Sequence, residues 1–179
     1  PFLDACSSGF IIPMWCDVFV KAENGDLTIN FPENFPINSL GKHEPEQIKG
    51  YPLEKNPYGT MPLKWLNPWG IKTPKGYSCL FTSPLNHFET RFKLVDGIVD
   101  TDTYYNKVNF PFLWTGGDGE FLISKGTPLV QVIPFKRDTF QCSFADLDKE
   151  KHSKQLNIMG TMFNNIYKKL FWHKRRDAD

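Results

Sequence analysis

KTPKGYSCLFTSP, residues 72–84, sets a Pro-Lys-Gly turn, a short apolar-rich run and a Ser-Pro turn one after another. Pro74 and Gly76 punctuate the chain on one side and Pro84 on the other. Between them Tyr77-Ser78-Cys79-Leu80-Phe81-Thr82 has the length and residue types of a β-strand. The same grammar continues outward in both directions. Upstream, Phe10-Ile11-Ile12 is stopped by Pro13, and Trp15 to Val20 carries Asp17 as its only charge. Asn24-Gly25 then reads as a hairpin turn, and Leu27 to Phe31 alternates as a half-buried strand does. Pro62 to Leu66 and Ile71-Lys72-Thr73 flank a turn at Asn67-Pro68-Trp69-Gly70. Downstream, Phe88 to Leu94, Val108 to Trp114, Glu120 to Ile123 and Leu129 to Ile133 read as strands, separated by Gly-rich or Ser-Lys-Gly turns. Many short strands at this spacing predict an all-β domain, a sandwich or a barrel.

The remaining composition fits one such domain. The chain has 179 residues, 14 Pro and 13 Gly, with 16 Phe, 6 Tyr and 5 Trp to fill a core. A formal charge of +1 provides no global field to attract nucleic acid or a membrane surface. No apolar run approaches the roughly 18 residues that span a bilayer. The chain opens on Pro1 rather than Met, which points to a cut or processed N-terminus. Cys6, Cys16, Cys79 and Cys142 form no CxxC pair, so free thiols in a reducing compartment are the expectation. The four histidines are too scattered to suggest a metal site. The five tryptophans read as core and interface packing rather than a stacking platform, since no basic groove lies between them.

Two segments depart from the strand pattern. Residues 32–62 are polar and rich in Pro and Asn, a long loop with room for one short strand. From about Asp146 the period becomes helical: Leu156, Met159, Phe163, Ile166 and Leu170 recur at three and four, with Met162 and Tyr167 beside them. Lys168, Lys169, Lys174, Arg175 and Arg176 gather at its far end, where cations complement the helix dipole. The expected organisation is a β-domain over 1–145 and an amphipathic helix over 146–179, its stripe packed on the β-domain or on a neighbouring subunit.

GIVDTDTYYNKVNF, residues 97–110, reads as a β-hairpin with two aspartates and two tyrosines. Asp100 and Asp102 have two readings: turn formers that cap and bend the hairpin, or a base, Asp100, directed into a ligand pocket.

Three segments in order resemble the dUTPase and dCTP deaminase superfamily: residues 72–85, Gly97-Ile98-Val99-Asp100-Thr101-Asp102, and Ile123 to Gln131 with its Lys125-Gly126. The resemblance covers about residues 71–134. The Thr-Pro-x-Gly, Gly-Ile-Val-Asp-Thr-Asp and Lys-Gly-x-Pro elements are also similar to a family of phage and bacterial proteins of unassigned biochemical role, and that likeness is the nearer one. The superfamily resemblance implies a jelly-roll-like, dUTPase-like barrel that trimerises, with sites at subunit interfaces. It implies Asp100 as the base for an attacking water, Tyr104 as the stacking ring, and Ser83 and Gln131 as phosphate-binding groups; Asp102, two residues from Asp100, and His87, in the loop after Ser83, are further candidates for the same pocket by their place in the sequence. Mg²⁺ is implied only if the ligand is a nucleoside triphosphate. The phage likeness implies an infected bacterial cytoplasm or a virion as the location.

Departures weaken catalysis. Thr82 stands where the superfamily has its phosphate-clamping arginine, and Pro84 where it has a small flexible residue. Thr103 is inserted before Tyr104, and Tyr105-Asn106 replaces Arg-Gly. Residues 105–114 contain no carboxylate to match the deaminase glutamate, and nothing resembles the Gly-rich arm that closes over a triphosphate. Arg91, Lys93 and Lys107 are the nearby cations able to replace the arginine. The expectation is therefore a non-catalytic binding or assembly module, homo-oligomeric, with a nucleotide or protein partner. A nucleotide-processing enzyme with a rearranged phosphate site is the alternative.

Overall fold

The Asn24-Gly25 turn shows how local sequence sets the architecture. Both residues take positive φ, 51° and 87°, the backbone that a two-residue hairpin needs to match strand twist. In a computed structural model, which describes residues 1–32, 39–44, 46, 49–50, 57–58, 62–161 and 166–173, this turn joins two of eleven strands. The elements are α1 (Phe2–Cys6), β1 (Phe10–Pro13), β2 (Val18–Glu23), β3 (Asp26–Asn30), β4 (Leu40–Lys42), β5 (Leu63–Trp65) and β6 (Tyr77–Thr82). They continue with β7 (Phe92–Leu94), β8 (Gly97–Val99), β9 (Phe110–Trp114), β10 (Gly119–Ile123), β11 (Pro128–Lys136), α2 (Lys149–Thr161) and α3 (Ile166–Leu170).

The strands form three antiparallel sheets, in the orders β1-β11-β6-β8, β10-β2-β3 and β4-β5-β9-β7. Among the described residues they do not close into one barrel. The protein is β-rich with helix at its C-terminal end. Alternation decides which faces meet: Val18, Val20 and Ala22 of β2 are buried while Phe19, Lys21 and Glu23 are exposed. On β9, Phe110, Phe112 and Trp114 point inward. Trp65 stacks on Phe112 at 4.3 Å, and Phe92 meets both edge-on. Trp15, Trp65, Trp69 and Trp114 thus serve packing: Trp114 abuts Phe121, and Trp15 abuts Trp69. All four cysteines are free, Cys16 and Cys79 buried.

Two expectations change. Residues 97–110 are not a hairpin. β8 pairs with β6 in one sheet, whereas β9 pairs with β5 and β7 in another, so residues 100–109 cross between sheets. Turn residues alone mark a change of direction, and pairing is decided by which edge the next strand can join. The strand expected over Phe88–Leu94 is confined to β7, because residues 88–91 leave the sheet and Phe88 is exposed. The expected loop over 32–62 contains β4, and much of it lies outside the described residues.

The chain divides into two compact units, Pro1–Asp138 and Thr139–Asp179. In the second, Asp148 caps α2 by accepting from the Lys151 N–H at 3.0 Å, and Glu150 pairs with Lys154 one turn on. Leu156, Met159, Tyr167 and Leu170 of the apolar stripe are exposed. Met162, Phe163, Lys174, Arg175 and Arg176 lie outside the described residues.

Candidate functional site

The residues singled out from sequence fall into three places. The first lies where β8 ends. Asp100 O accepts from the N–H groups of Thr103 and Tyr104 at 3.0 and 2.9 Å, closing a tight turn. Thr101 is buried inside it, its hydroxyl 2.7 Å from that of Thr73 and bonded to Cys79 Sγ. The strand order β8-β6-β11 brings the end of β11 close to this turn, across Ser78. Arg137, just past β11, donates its backbone N–H to Gly76 O at 2.8 Å. Its guanidinium forks onto Asp102, donating from both terminal nitrogens. It also donates to Ser78 Oγ at 3.0 Å and lies 3.2 Å from Asp100 Oδ1.

Asp102 is therefore enclosed: its side chain is 2% exposed, and it accepts the Gly76 N–H at 2.8 Å as well as the fork. The hydrogen bonds from Arg137, and then the one from Gly76, hold its carboxyl down at about 2. The Arg137 guanidinium is pushed up in return. Asp100 differs. Its carboxylate is 61% exposed and accepts Ser78 Oγ–H at 2.6 Å. No spacing rule in the sequence pointed to Arg137; the cation of this cluster follows the last strand rather than coming from Arg91, Lys93 or Lys107.

The second place is beneath α1. Gln131 is fully buried, accepting the Leu85 N–H at 2.7 Å and donating to Ala5 O and Ser8 O at 2.8 and 2.7 Å. It anchors the N-terminal helix and the loop after β6 to β11, and every atom of its amide is engaged. Beside it Ser83 and His87 line a cavity of about 280 Å³ with Pro84, Glu89, Lys93 and Leu129 among its walls. Ser83 Oγ accepts the Leu94 N–H at 3.3 Å. Arg91 is committed to Glu89 at 2.6 Å and to Leu122 O. Burial raises the Glu89 carboxyl, and the Arg91 hydrogen bonds outweigh it to leave a lowered pKa.

The third place begins two residues after Asp102. Tyr104, 44% exposed, lines a cavity of about 330 Å³ with Lys64 and Lys107. The next one, about 310 Å³, is floored by Phe81, Leu94, Phe110 and Val130. His43, Val99, Val108, Asn109 and Pro111 border both, so the two form one groove.

The structure thus brings Asp100 to Asp102, and Ser83 to His87, but leaves Tyr104 and Gln131 in separate places. Asp100 lines none of these cavities. Among the described residues no group of His, Cys, Asp and Glu is arranged to hold a metal ion, and no helix is long and apolar enough to cross a membrane. Compared with family models, curated proteins and solved structures, the chain matches none.

Proposed function

We propose that this protein is a non-catalytic binding or assembly module, a homo-oligomer on a jelly-roll-like scaffold of the dUTPase type. One observation carries the reading: the polar groups that phosphate hydrolysis requires are already used by the fold. Gln131 has both ends of its amide bonded to backbone, Asp102 is held by Arg137 and Gly76, and Asp100 pairs with Arg137 and Ser78 outside any of the cavities described. A general base needs an acceptor facing the substrate's water in a binding site; Asp102 is closed off by Arg137, and Asp100, though its carboxylate is mostly exposed, borders none of the cavities described.

The outer surface suits assembly. Phe19 and Leu122 are cross-strand neighbours on β2 and β10, both exposed, and Phe10, Ile11 and Ile98 are exposed on the two edge strands of the β1-β11-β6-β8 sheet. Apolar side chains of this size on edges and outer faces are the usual material of an oligomer interface. Light scattering coupled to size exclusion tests it, with a trimer as the expected mass and a monomer as the overturning one. A panel of deoxynucleoside mono-, di- and triphosphates, with and without Mg²⁺, should show neither hydrolysis nor a thermal shift. Turnover that is lost in Asp100→Asn would replace this reading with the enzyme.

A further inference from the structure

A groove lies between the two larger sheets, lined by residues of both. It is bordered by residues of the stretch where the chain crosses from β8 to β9, Val99, Val108 and Asn109 among them. Its floor comes from both sides: Phe81, Val99 and Val130 from one sheet, Leu94 and Phe110 from the other, with Val108 between. Phe81, Leu94, Val108, Phe110 and Val130 are buried. Apolar contact there favours a bound chain by taking its methylenes out of water.

Charge is divided between the ends. Lys64 and Lys107 line the Tyr104 end, and neither is in an ion pair among the described residues. The aliphatic stem of Lys64 lies against β4 at Gly41, where an added Cβ would meet Lys64 Cε at 2.9 Å. Asn109 stands on the stretch common to both cavities; its Oδ1 accepts the Asn67 N–H at 3.2 Å, and its amide nitrogen makes no bond among the described residues. Asp96 borders the opposite end. An anion is attracted to the lysine end and repelled from the other, so an amphipathic ligand has one favoured orientation.

We infer that this groove binds a small amphipathic anion, a carboxylate on a chain or ring of medium size, with its apolar body over Phe81, Leu94 and Val130 and its carboxylate between Lys64 and Lys107. The inference rests on the reading of the protein as a binding module and names the ligand class of that module. Each cavity lies near the lower limit of small-molecule sites, roughly 300 Å³, and the two together suit a ligand of medium size.

The test is calorimetric titration and thermal shift with octanoate, 1-octanol, octylamine and dTMP. Octanoate should bind with a Kd of about 1 mM or tighter and raise Tm, while octylamine should not. In Lys64→Ala/Lys107→Ala, which changes only partly or fully exposed side chains, octanoate affinity should fall roughly tenfold or more; octanol should be unaffected. Val108→Phe, filling the floor, should abolish octanoate binding. The lysine variant keeps the test valid if that one folds poorly. Equal binding of octanol and octanoate would overturn the assignment of the anion, and no octanoate binding would overturn the site. A dTMP shift abolished by Tyr104→Ala would overturn the ligand class. Oligomeric mass and absence of hydrolysis, measured on the same samples, show separately whether the binding-module reading stands.

Discussion

Asp102 and Tyr104 stand two residues apart on one crossing segment and have opposite surroundings. Asp102 is enclosed by Arg137 and the Gly76 N–H, its carboxylate shut from solvent. Tyr104 turns toward a groove with its ring nearly half exposed. The same contrast separates Gln131, buried with every polar atom of its amide bonded, from Lys64 and Lys107, charged groups bordering open space. Polar residues in this protein divide into those consumed by the fold and those left available, and sequence position does not reveal which is which. Energetically the classes differ in kind: deleting a consumed group orphans its buried partners, whereas deleting an available one exchanges solvent for solvent.

The largest effect is expected at Gln131. Gln131→Leu leaves the Leu85 N–H without its partner and takes one bond each from the carbonyls of Ala5 and Ser8, the former keeping the Ser8 N–H. A lost bond costs about 0.5–1.5 kcal/mol, and an orphaned group about 1–3 kcal/mol where water cannot replace the bond. The urea midpoint should fall sharply, and hydrogen exchange should speed at Leu85 and in α1. An unchanged midpoint would mean that α1 is not anchored through this residue, and the division of classes would lose its clearest member.

Next comes Asp102. Its carboxyl titrates lower in the folded protein, about 2, than in an unfolded chain, roughly 3.9. A depressed carboxylate contributes stability that is fully present above the unfolded value and is lost as pH falls through the folded one. Urea midpoints should therefore decline between about pH 4 and pH 2. Asp102→Asn should be less stable at pH 7 and show a shallower decline. Glu89, lowered by Arg91, contributes in the same direction, so Glu89→Gln is the control that isolates Asp102. A slope identical in wild type and Asp102→Asn would place the acid-sensitive group elsewhere.

The fold was legible wherever a strand and its turn are local. β6 needed only Pro74, Gly76 at φ 86° and a run of apolar residues; the Asn24-Gly25 hairpin needed only its two turn residues and alternation on either side. What escaped was long-range. Arg137 lies 35 positions from Asp102, and no motif spacing links them. α1 has five residues, too few for an amphipathic period, and its anchor Gln131 is 126 positions from Ala5. The crossing at residues 100–109 has the turn residues of a hairpin, but pairing of β9 with β5 and β7 is a property of sheet edges that its own residues do not encode. For the candidate site, residue types were legible and commitments were not: Asp, Gln and Ser look alike in sequence whether their polar atoms face a ligand or a backbone amide.

Asp100→Asn refines the contrast within a single turn. Asp100 shares Arg137 with Asp102, yet its carboxylate is mostly solvated. Exposed pairs of this kind contribute at most about 1 kcal/mol, and asparagine keeps an acceptor for Ser78. The midpoint at pH 7 should shift far less than in Asp102→Asn. If the two variants are equally unstable, Arg137 depends on both carboxylates and the cluster acts as one unit.

The smallest effects belong to the tyrosines. Tyr105 is 86% exposed and carries Lys72 Nζ 5.6 Å from its ring centroid, a contact that adds about 0.5–1 kcal/mol at exposed sites. Tyr104 has no such partner among the described residues and borders the groove. Tyr104→Ala should leave stability within about 0.5 kcal/mol of wild type, slightly less perturbed than Tyr105→Ala. If Tyr104→Ala instead destabilised the protein as strongly as Asp102→Asn, Tyr104 would belong with the consumed residues, and the groove it lines would be a packing defect at the crossing rather than available space. A neutral Tyr104→Ala, set against a damaging Asp102→Asn, would show the boundary between structure and site falling within two residues of the same turn.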